Sequence, residues 1–183
     1  LYLITDRKLA PGGDLPALLT RALAAPRRGR LTVQLREKDL DAASLAALAR
    51  DVLRVTRPAG VELLINDRVD VALAVEADGV HLAGHSLDPA EARALLGPDR
   101  LLGASTHNLA EATAARDGGC DFATFGPVYH TPSKARYGAP IGLARLREAA
   151  TALAPFPLVA LGGVDPSNAA ACRDAGARGG SVI

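Results

Sequence analysis

The sequence predicts a (β/α)8 TIM barrel, an α/β fold, in a single domain that spans residues 1–183. Short apolar runs alternate along the chain with Ala- and Leu-rich segments of amphipathic spacing. This alternation is typical of a parallel sheet that helices bury on both faces. Eight such units are present or nearly so, which favours a closed barrel over an open doubly wound sheet. Polar or glycine residues follow the apolar runs, where barrels of this class carry their chemistry.

Each apolar run is predicted to be a strand because it is short and stops at polar or glycine residues. The last one is compressed, since one short Gly-rich segment must supply both a loop and a strand. In chain order the predicted strands are Leu1–Thr5, Leu31–Arg36, Val61–Asn66, Gly79–Leu82, Leu101–Ser105, Phe122–Gly126, Pro157–Leu161 and Gly180–Ile183.

The segments between the strands have the apolar spacing of amphipathic helices. They are Asp14–Ala25, Asp41–Thr56, Arg68–Glu76, Pro89–Leu96, Leu109–Asp117, Leu143–Leu153 and Pro166–Ala175. The chain begins inside its first strand and stops at Ile183, where an eighth helix would follow. Its 183 residues are also few against roughly 250 for this fold. We therefore expect trimmed or incomplete termini.

The composition argues against several classes of function. Hydrophobic residues make up 49% and charged residues 22% of the chain, with no linker-like stretch, as in one compact domain. The formal net charge is +1 and basic residues are scattered apart from a short cluster at 27–30, so no basic face is expected for nucleic acid. Aromatic residues, at 3%, provide no stacking platform for single strands.

No apolar run approaches the ~20 residues of a membrane span, so no membrane partner is expected. Cys120 and Cys172 are predicted to be buried free thiols, which fits a reducing cytoplasm. The expected partners are therefore small molecules, and assembly into a homo-oligomer stays open.

The loop after the sixth predicted strand offers two hydroxyls and an ammonium within four residues, at Thr131, Ser133 and Lys134. Hydroxyls and backbone N–H groups can donate to phosphate oxygens, while a lysine supplies a point charge. Taken alone, an ordinary turn would be the better interpretation of Thr-Pro-Ser-Lys. Its place at a strand end of a predicted barrel instead indicates a phosphate site.

The end of the second strand carries an amide and two cations on one face. Alternation along a strand places Gln34, Arg36 and Lys38 together, opposite the apolar residues between them. Such a face is costly inside a barrel unless a ligand or a carboxylate meets it. The alternative is an interior salt-bridge network with Glu37 or a neighbour.

Polar residues also end the next three strands. Asp67 could hold a divalent cation while Asn66 orients a phosphate or a ring nitrogen, and the alternative for this pair is a helix cap. Ser105 is a candidate phosphate donor, or else the cap of the fifth helix. For His81 and His107 we expect orienting hydrogen bonds rather than acid–base work, because neither has an evident carboxylate partner in the sequence.

The seventh strand is followed by a glycine pair, Gly162 and Gly163, and then by Asp165 and Pro166 at the start of a helix. This pattern resembles the backbone phosphate site that follows the last strands of many barrels.

Taken together, six motifs resemble the thiamine phosphate synthase superfamily, which also contains the thiazole tautomerases. Their order and spacing match over nearly the whole chain. The motifs are Gln-Leu-Arg-Glu-Lys at 34–38, Ile-Asn-Asp-Arg at 65–68, Asp-Gly-Val-His-Leu at 78–82, Ser-Thr-His at 105–107, Phe-Gly-Pro-Val-Tyr-His-Thr-Pro-Ser-Lys at 125–134 and Ala-Leu-Gly-Gly-Val at 160–164.

The resemblance implies a transferase that couples hydroxymethylpyrimidine pyrophosphate to hydroxyethylthiazole phosphate with Mg2+ as cofactor. It implies that Arg36, Lys38, Ser105 and Lys134 act on the departing pyrophosphate and that Asp67 binds the metal. It further implies substrate contacts from Gln34, Asn66, His107, Thr131, Ser133, Gly163 and Ser181.

Two positions depart from the family patterns. Synthases place an acidic residue, the second metal ligand, where this chain has Ser86, so a hydroxyl or a bridging water is expected to touch Mg2+ there. Tautomerases place their catalytic histidine where this chain has Pro127. The tautomerase base is therefore absent from this chain, unless His130 substitutes for it. A thiazole phosphate tautomerase and a non-catalytic binder of a thiamine intermediate therefore remain the alternatives to a synthase.

Overall fold

The computed structural model describes residues 1–26, 29–131 and 139–183. Eight parallel strands close into a barrel in chain order, and the last strand pairs with the first. This topology confirms the predicted (β/α)8 fold. The strands are β1 Tyr2–Ile4, β2 Thr32–Leu35, β3 Glu62–Asn66, β4 Gly79–Leu82, β5 Leu101–Thr106, β6 Phe122–Phe125, β7 Leu158–Ala160 and β8 Gly179–Val182.

Helices alternate with these strands in the described part of the chain. They are α1 Leu15–Ala24, α2 Ala42–Thr56, α3 Val69–Ala74, α4 Pro89–Leu96, α5 Leu109–Asp117, α6 Gly142–Ala152 and α7 Ala169–Asp174, and two 3-10 turns, Arg7–Leu9 and Pro11–Gly13, precede α1. Most bounds lie within two residues of the predicted ones. The exception is α7, which starts later because Asp165 Oδ1 accepts hydrogen bonds from both the backbone and the hydroxyl of Ser167. These bonds hold the residues before α7 in a turn.

Asx caps fix where several helices begin. Asp14 accepts from the N–H of Ala17 at 2.9 Å before α1, and Asp41 accepts from Ser44 at 2.8 Å before α2. Asn108 accepts from Glu111 at 2.9 Å before α5. Each side chain satisfies a backbone donor that the first helical turn leaves unpaired.

The apolar core forms two layers because strand side chains alternate between the faces of the sheet. The outer layer, which includes Val33 and Leu35 of β2, packs between the strands and the helices. A smaller cluster of Tyr2, Ile4 and Leu64 fills the barrel lumen, with Phe122 and its neighbours against it. The lumen is therefore a packed interior, and the inward side chains at the carboxyl ends of the strands form its mouth.

No helix of the described residues combines the length and the apolar character that crossing a bilayer requires.

Candidate active site

Several of the predicted polar side chains face inward at or near the carboxyl ends of the strands: Gln34 on β2, Asn66 on β3, His81 on β4 and Ser105 on β5. Gln34 is only 2% exposed, and its strand neighbours Val33 and Leu35 belong to the outer core. Alternation therefore places Gln34 on the lumen face, as predicted. Asn66 lies opposite His81 in the β3–β4 register, so the polar side chains form one continuous wall.

Arg36 follows β2 directly, at the mouth of the barrel. Its backbone N–H donates to Thr5 Oγ1 at 3.0 Å, which ties the end of β2 to the end of β1. Its positive charge contributes, after burial, to lowering the pKa of the His81 ring. Alternation along β2 predicts that its side chain faces the lumen. Lys38 is exposed two residues further on. Lys134, the third predicted cation, lies outside the described residues, as does Ser133.

Glu37 is buried, and its carboxylate is engaged by the β1 side of the barrel. It accepts from Thr5 Oγ1 at 2.7 Å and from the backbone and guanidinium of Arg7 at 3.1 and 3.2 Å. Arg7 also binds Asp39, and this hydrogen bond holds the pKa of that carboxyl well below its usual range. The interior network that the sequence left open therefore exists, but its cation is Arg7. Among the described residues Arg36 forms no salt bridge, which leaves its charge available to a ligand.

Asp67 stands directly after β3 with a left-handed backbone, φ 68°. Its N–H donates to the carbonyl of His81 at 2.9 Å, so β4 holds the residue at the mouth. Helix α3 begins at Val69 without a side-chain cap, which rules out the cap that the sequence offered as the alternative for Asn66 and Asp67. The partly exposed carboxylate accepts no hydrogen bond from the described residues.

Ser86 lies in the loop between β4 and α4, beside the loop that carries Asp67. Its Oγ accepts from the N–H of Ala83 at 2.7 Å, which leaves one lone pair and the hydroxyl proton. Within residues 1–26, 29–131 and 139–183, no group of three acidic, histidine or cysteine side chains gathers as a metal cage. Mg2+ often needs only one or two carboxylates because substrate phosphates and waters complete its shell. The unengaged carboxylate of Asp67 and the remaining lone pair of Ser86 are oxygen donors of the type that such an ion takes.

The His81 ring is 1% exposed and makes two hydrogen bonds inside the barrel. Its Nδ1 lies 2.9 Å from the hydroxyl of Tyr2, and its Nε2 lies 3.0 Å from Ser105 Oγ. Burial first, and the charge of Arg36 second, lower its pKa to about 3. The ring is therefore neutral near pH 7, and the expected orienting role agrees with these contacts.

For the β5–α5 segment, one premise about His107 is wrong and the alternative for Ser105 is excluded. His107 does have a carboxylate partner, since its Nδ1 lies 3.0 Å from Glu111 one helical turn away. Ser105 does not cap α5, because Asn108 does. His107 is exposed beside the mouth, whereas Ser105 stays on β5 facing the lumen.

The loops after β6 and β7 are joined by backbone hydrogen bonds. The N–H groups of Val128 and Tyr129 donate to Leu161 and Gly162 at 2.8 and 3.0 Å. Gly163 has φ 64°, and a Cβ there would lie 2.8 Å from the carbonyl oxygen of His130 and from the Cβ of Tyr129. Only glycine fits this close approach without strain.

In the part of the chain that the structure describes, the N–H groups of Gly163 and Val164 donate to no protein acceptor. They are open donors at the predicted phosphate loop, and Thr131 is the last residue described on the facing β6 loop. Ser181, by contrast, is buried on β8 and donates its hydroxyl to the carbonyl of Ala160 at 3.2 Å. Its proton is engaged by the barrel wall and is not free for a ligand.

A groove of about 760 Å3 lies between α2 and α3, lined by Arg50, Arg57 and Glu76 among others. It sits at the carboxyl ends of these helices, at the opposite end of the barrel from the strand ends. None of the predicted site residues lines it, so we place the site at the mouth.

Sequence reasoning missed two residues that face this lumen. Tyr2 contacts His81, and the Oγ1 of the fully buried Thr124 has no hydrogen-bond partner among the described residues. Alternation along β1 and β6 places both side chains inward, but nothing in the local sequence indicated a polar contact.

The closed parallel barrel and the polar wall at its mouth define a (β/α)8 protein of the kind that carries chemistry at the carboxyl ends of its strands. The family model described as thiamine monophosphate synthase matches residues 1–183. The chain therefore belongs to the thiamine monophosphate synthase family, whose synthases are transferases. The resemblance found in the sequence is confirmed.

Relatives cover the chain from end to end. It is 52% identical over 183 residues to a putative thiamine-phosphate synthase of Geobacter sulfurreducens, matching 100% of this chain and 84% of that protein. It is 44% identical to the thiamine-phosphate synthase of Moorella thermoacetica, with 100% and 85% covered. The solved structure of thiamine phosphate pyrophosphorylase from Pyrococcus furiosus superimposes with a TM-score of 0.84 at 32% identity, over 100% of this chain and 84% of that one.

Proposed function

We propose that this chain joins hydroxymethylpyrimidine pyrophosphate to hydroxyethylthiazole phosphate, forming thiamine phosphate and releasing pyrophosphate. The observation that carries the proposal is Arg36, a cation without a protein carboxylate among the described residues, at the mouth of a barrel whose wall is Gln34, Asn66 and Ser105. Membership of the synthase family supports it.

The reaction separates charge before it forms the new bond. The C–O bond between the pyrimidine methylene and pyrophosphate breaks, and its electron pair leaves with the pyrophosphate. The resulting pyrimidine-methylene cation is then attacked by the thiazole nitrogen. No proton needs to move, so catalysis depends on stabilising the departing anion rather than on an acid or a base.

Arg36 would neutralise charge on the departing pyrophosphate. Its backbone is held by Thr5, and Glu37 is occupied by Arg7, which leaves the guanidinium without that carboxylate as a competing partner before substrate arrives. A preorganised cation in a site that excludes water stabilises developing charge far better than a solvated one. Lys38 and Lys134 would add charge from the rim.

Gln34, Asn66 and Ser105 would orient the pyrimidine pyrophosphate. All three stand on strands of the barrel wall, which are more rigid than loops. The amides of Gln34 and Asn66 offer both donors and acceptors to a pyrimidine ring, and the hydroxyl of Ser105 can donate to a phosphate oxygen.

The phosphate of the thiazole would bind at the glycine pair after β7. The open N–H groups of Gly163 and Val164 suit an anion, since successive backbone donors in a left-handed turn form an anion-binding nest. Thr131 and Ser133 of the facing loop would complete this subsite. His107 would contact substrate from the rim, and Ser181 would contribute through the barrel wall it supports.

Mg2+ would be held by Asp67, with Ser86 touching it directly or through water, and bound metal would neutralise the pyrophosphate charge that builds up as the bond breaks.

The free, buried state of Cys120 and Cys172 supports a cytoplasmic location. The tautomerase alternative is weaker, since Pro127 occupies its base position and His130 is exposed.

Product analysis with both substrates, with and without Mg2+, tests the proposal. We expect thiamine phosphate and pyrophosphate in equal amounts, only when both substrates and the metal are present. Arg36→Gln and Lys134→Ala should each lower turnover by about two orders of magnitude, since a preorganised cation contributes roughly 3 kcal/mol in the transition state. Arg116→Gln, an exposed arginine on α5 that pairs with Asp117, is the matched control and should retain full activity.

Formation of the thiazole isomerisation product without any coupled product would instead identify a tautomerase. Binding of both substrates without turnover would identify a non-catalytic binder.

A further inference from the structure

Tyr2, His81 and Ser105 form a chain of hydrogen bonds that crosses the lumen from β1 through β4 to β5. The Tyr2 hydroxyl lies 2.9 Å from His81 Nδ1, and His81 Nε2 lies 3.0 Å from Ser105 Oγ. Tyr2 is 3% exposed and His81 1%, so both are shielded from bulk solvent. The direction of the donated protons is therefore decided within the chain itself.

A neutral histidine has one N–H donor and one acceptor nitrogen. His81 is 1% exposed, and both of its ring nitrogens lie beside hydroxyls rather than a carboxylate, so the described residues offer no negative partner that would stabilise a charged ring and the ring is neutral. Its two partners are both hydroxyls, so only two arrangements of the protons exist. Either Tyr2 donates to Nδ1 and Nε2–H donates to Ser105, or Ser105 donates to Nε2 and Nδ1–H donates to Tyr2.

The second arrangement leaves the phenol proton of Tyr2 without an acceptor among the described residues, since His81 is the partner its hydroxyl has there. A buried donor without an acceptor is strongly unfavourable. The first arrangement uses every buried proton. It makes Ser105 Oγ an acceptor toward His81, and the serine proton is then free to point into the mouth.

We propose that Tyr2 is a positioning residue: its hydroxyl fixes His81 as the Nε2–H tautomer, and His81 in turn presents the Ser105 hydroxyl as a hydrogen-bond donor to an anionic oxygen of the substrate. This inference rests on the proposed function, because Ser105 is a substrate contact there. It adds a residue with no reach to the substrate itself, and it states which way Ser105 donates.

The tautomer of His81 gives a direct test. Two-bond 1H–15N correlation spectra of the wild-type chain should show the ring proton on Nε2. Each exposed histidine is identified by the signal lost in His85→Gln, His107→Gln or His130→Gln, which leaves the His81 signal assigned. A wild-type ring protonated on Nδ1 overturns the proposal, whether or not the chain couples the two substrates.

Tyr2→Phe removes the hydroxyl and keeps the ring that packs against Phe122. The His81 proton should then redistribute toward Nδ1, and coupling turnover should fall by about fivefold, the usual effect of one net hydrogen bond. The matched control is Thr56→Val on α2, which deletes a buried hydroxyl that has no partner among the described residues and should leave turnover unchanged.

A double-mutant cycle separates positioning from general support of the fold. In a Ser105→Ala background the chain of hydrogen bonds no longer reaches a hydroxyl that contacts substrate. Tyr2→Phe should therefore cause no further loss of turnover. Additive losses, or an unchanged His81 tautomer in Tyr2→Phe, would overturn the proposal. If wild type shows the Nε2–H ring but no coupling, the positioning chain stands and the proposed function fails.

Discussion

Ser86 stands where the synthase pattern has an acidic side chain, and its surroundings can accommodate one. The N–H of Ala83, which now donates to the serine hydroxyl at 2.7 Å, could donate to one oxygen of an aspartate instead. The other oxygen would be free for the cation. A second carboxylate raises metal affinity because it adds a charged oxygen ligand.

We therefore expect Ser86→Asp to lower the Mg2+ concentration for half-maximal turnover by about tenfold. The measurement is a Mg2+ titration of coupling activity. Ser86→Asn has the same shape without the charge and should leave the titration close to that of wild type. If the two variants titrate alike, Ser86 is not a neighbour of the metal.

His81 should dominate the response of stability to mild acid. Burial and then the Arg36 charge hold its native pKa at about 3, whereas the unfolded value is about 6.5. Between these values the unfolded chain binds a proton that the native chain does not, so stability falls as the pH falls. We expect the free energy of unfolding to decrease as the pH falls from about 6.5 toward about 3.

Chemical denaturation across this pH range measures the effect. His81→Gln is less stable at neutral pH but should show a flatter profile, because it has no imidazole to protonate. The exposed His85→Gln should keep the wild-type slope. Equal slopes in wild type and His81→Gln would contradict the prediction.

At the residue level, the local sequence predicted which strand side chains face the lumen, because this depends on their alternation along the strand. Gln34 faces the lumen because side chains two apart on a strand share a face, and the same alternation predicts that Arg36 does so just beyond β2. The contact between Tyr2 and His81 joins residues 79 positions apart, and no local pattern records it. The left-handed backbone of Asp67 was equally hidden, because the bond that holds its N–H comes from His81 on the neighbouring strand. The contact between His107 and Glu111, by contrast, has the i, i+4 spacing of a helical pair, and the sequence does indicate it.

Among the elements, the turn between β7 and α7 requires glycine at position 163. Gly163→Ala would introduce both a strained φ of 64° and a Cβ 2.8 Å from His130 and Tyr129. The β6 and β7 loops would be pushed apart, and the open N–H groups would lose their arrangement. We expect the KM for the thiazole phosphate to rise by about tenfold, since an anion site depends on the direction of its donors.

Steady-state kinetics and thermal unfolding of two alanine variants test this expectation. Gly60, in the turn before β3, has nearly the same φ of 62°, but a methyl group added there would meet nothing within 4 Å. Gly60→Ala therefore carries the backbone strain without the crowding and should keep the wild-type KM. If Gly163→Ala behaves like Gly60→Ala, the loop contact does not shape the phosphate subsite.

Element type was predictable for all eight strands because their apolar runs are short and each is followed by a turn signal. The start of α7 was not, since proline at position 166 suits a first helical turn as well as a turn outside the helix. The Asp165–Ser167 hydrogen bonds stabilise the turn instead of a helical start at that proline. Whether the Ser133 and Lys134 loop forms the expected phosphate cradle stays a prediction, because it lies outside the described residues.

For the whole molecule, the site spans much of the barrel circumference. Its side chains come from β2, β3 and β5, and β1 and β8 close the barrel through only two residue pairs, Tyr2 with Ser181 and Leu3 with Val182. A ligand at the mouth would connect strands that are distant in sequence. Because it binds the native barrel and not the unfolded chain, it should raise the temperature of unfolding.

We expect pyrophosphate with Mg2+ to stabilise the native chain by about 2.7 kcal/mol when the ligand is present at about 100 times its Kd. For a domain of this size, that corresponds to a rise in Tm of roughly 5–10 °C. Arg36→Gln should lose most of the rise because its guanidinium is the cation at the mouth that no described carboxylate neutralises. Arg116→Gln should keep the wild-type rise in Tm.

Thermal unfolding with pyrophosphate alone, Mg2+ alone and both together separates the contributions of the anion and the metal to this rise. It reports binding even where turnover is slow. A rise of equal size in wild type and Arg36→Gln would place the anion away from the mouth and would contradict the site on which the proposed transferase rests.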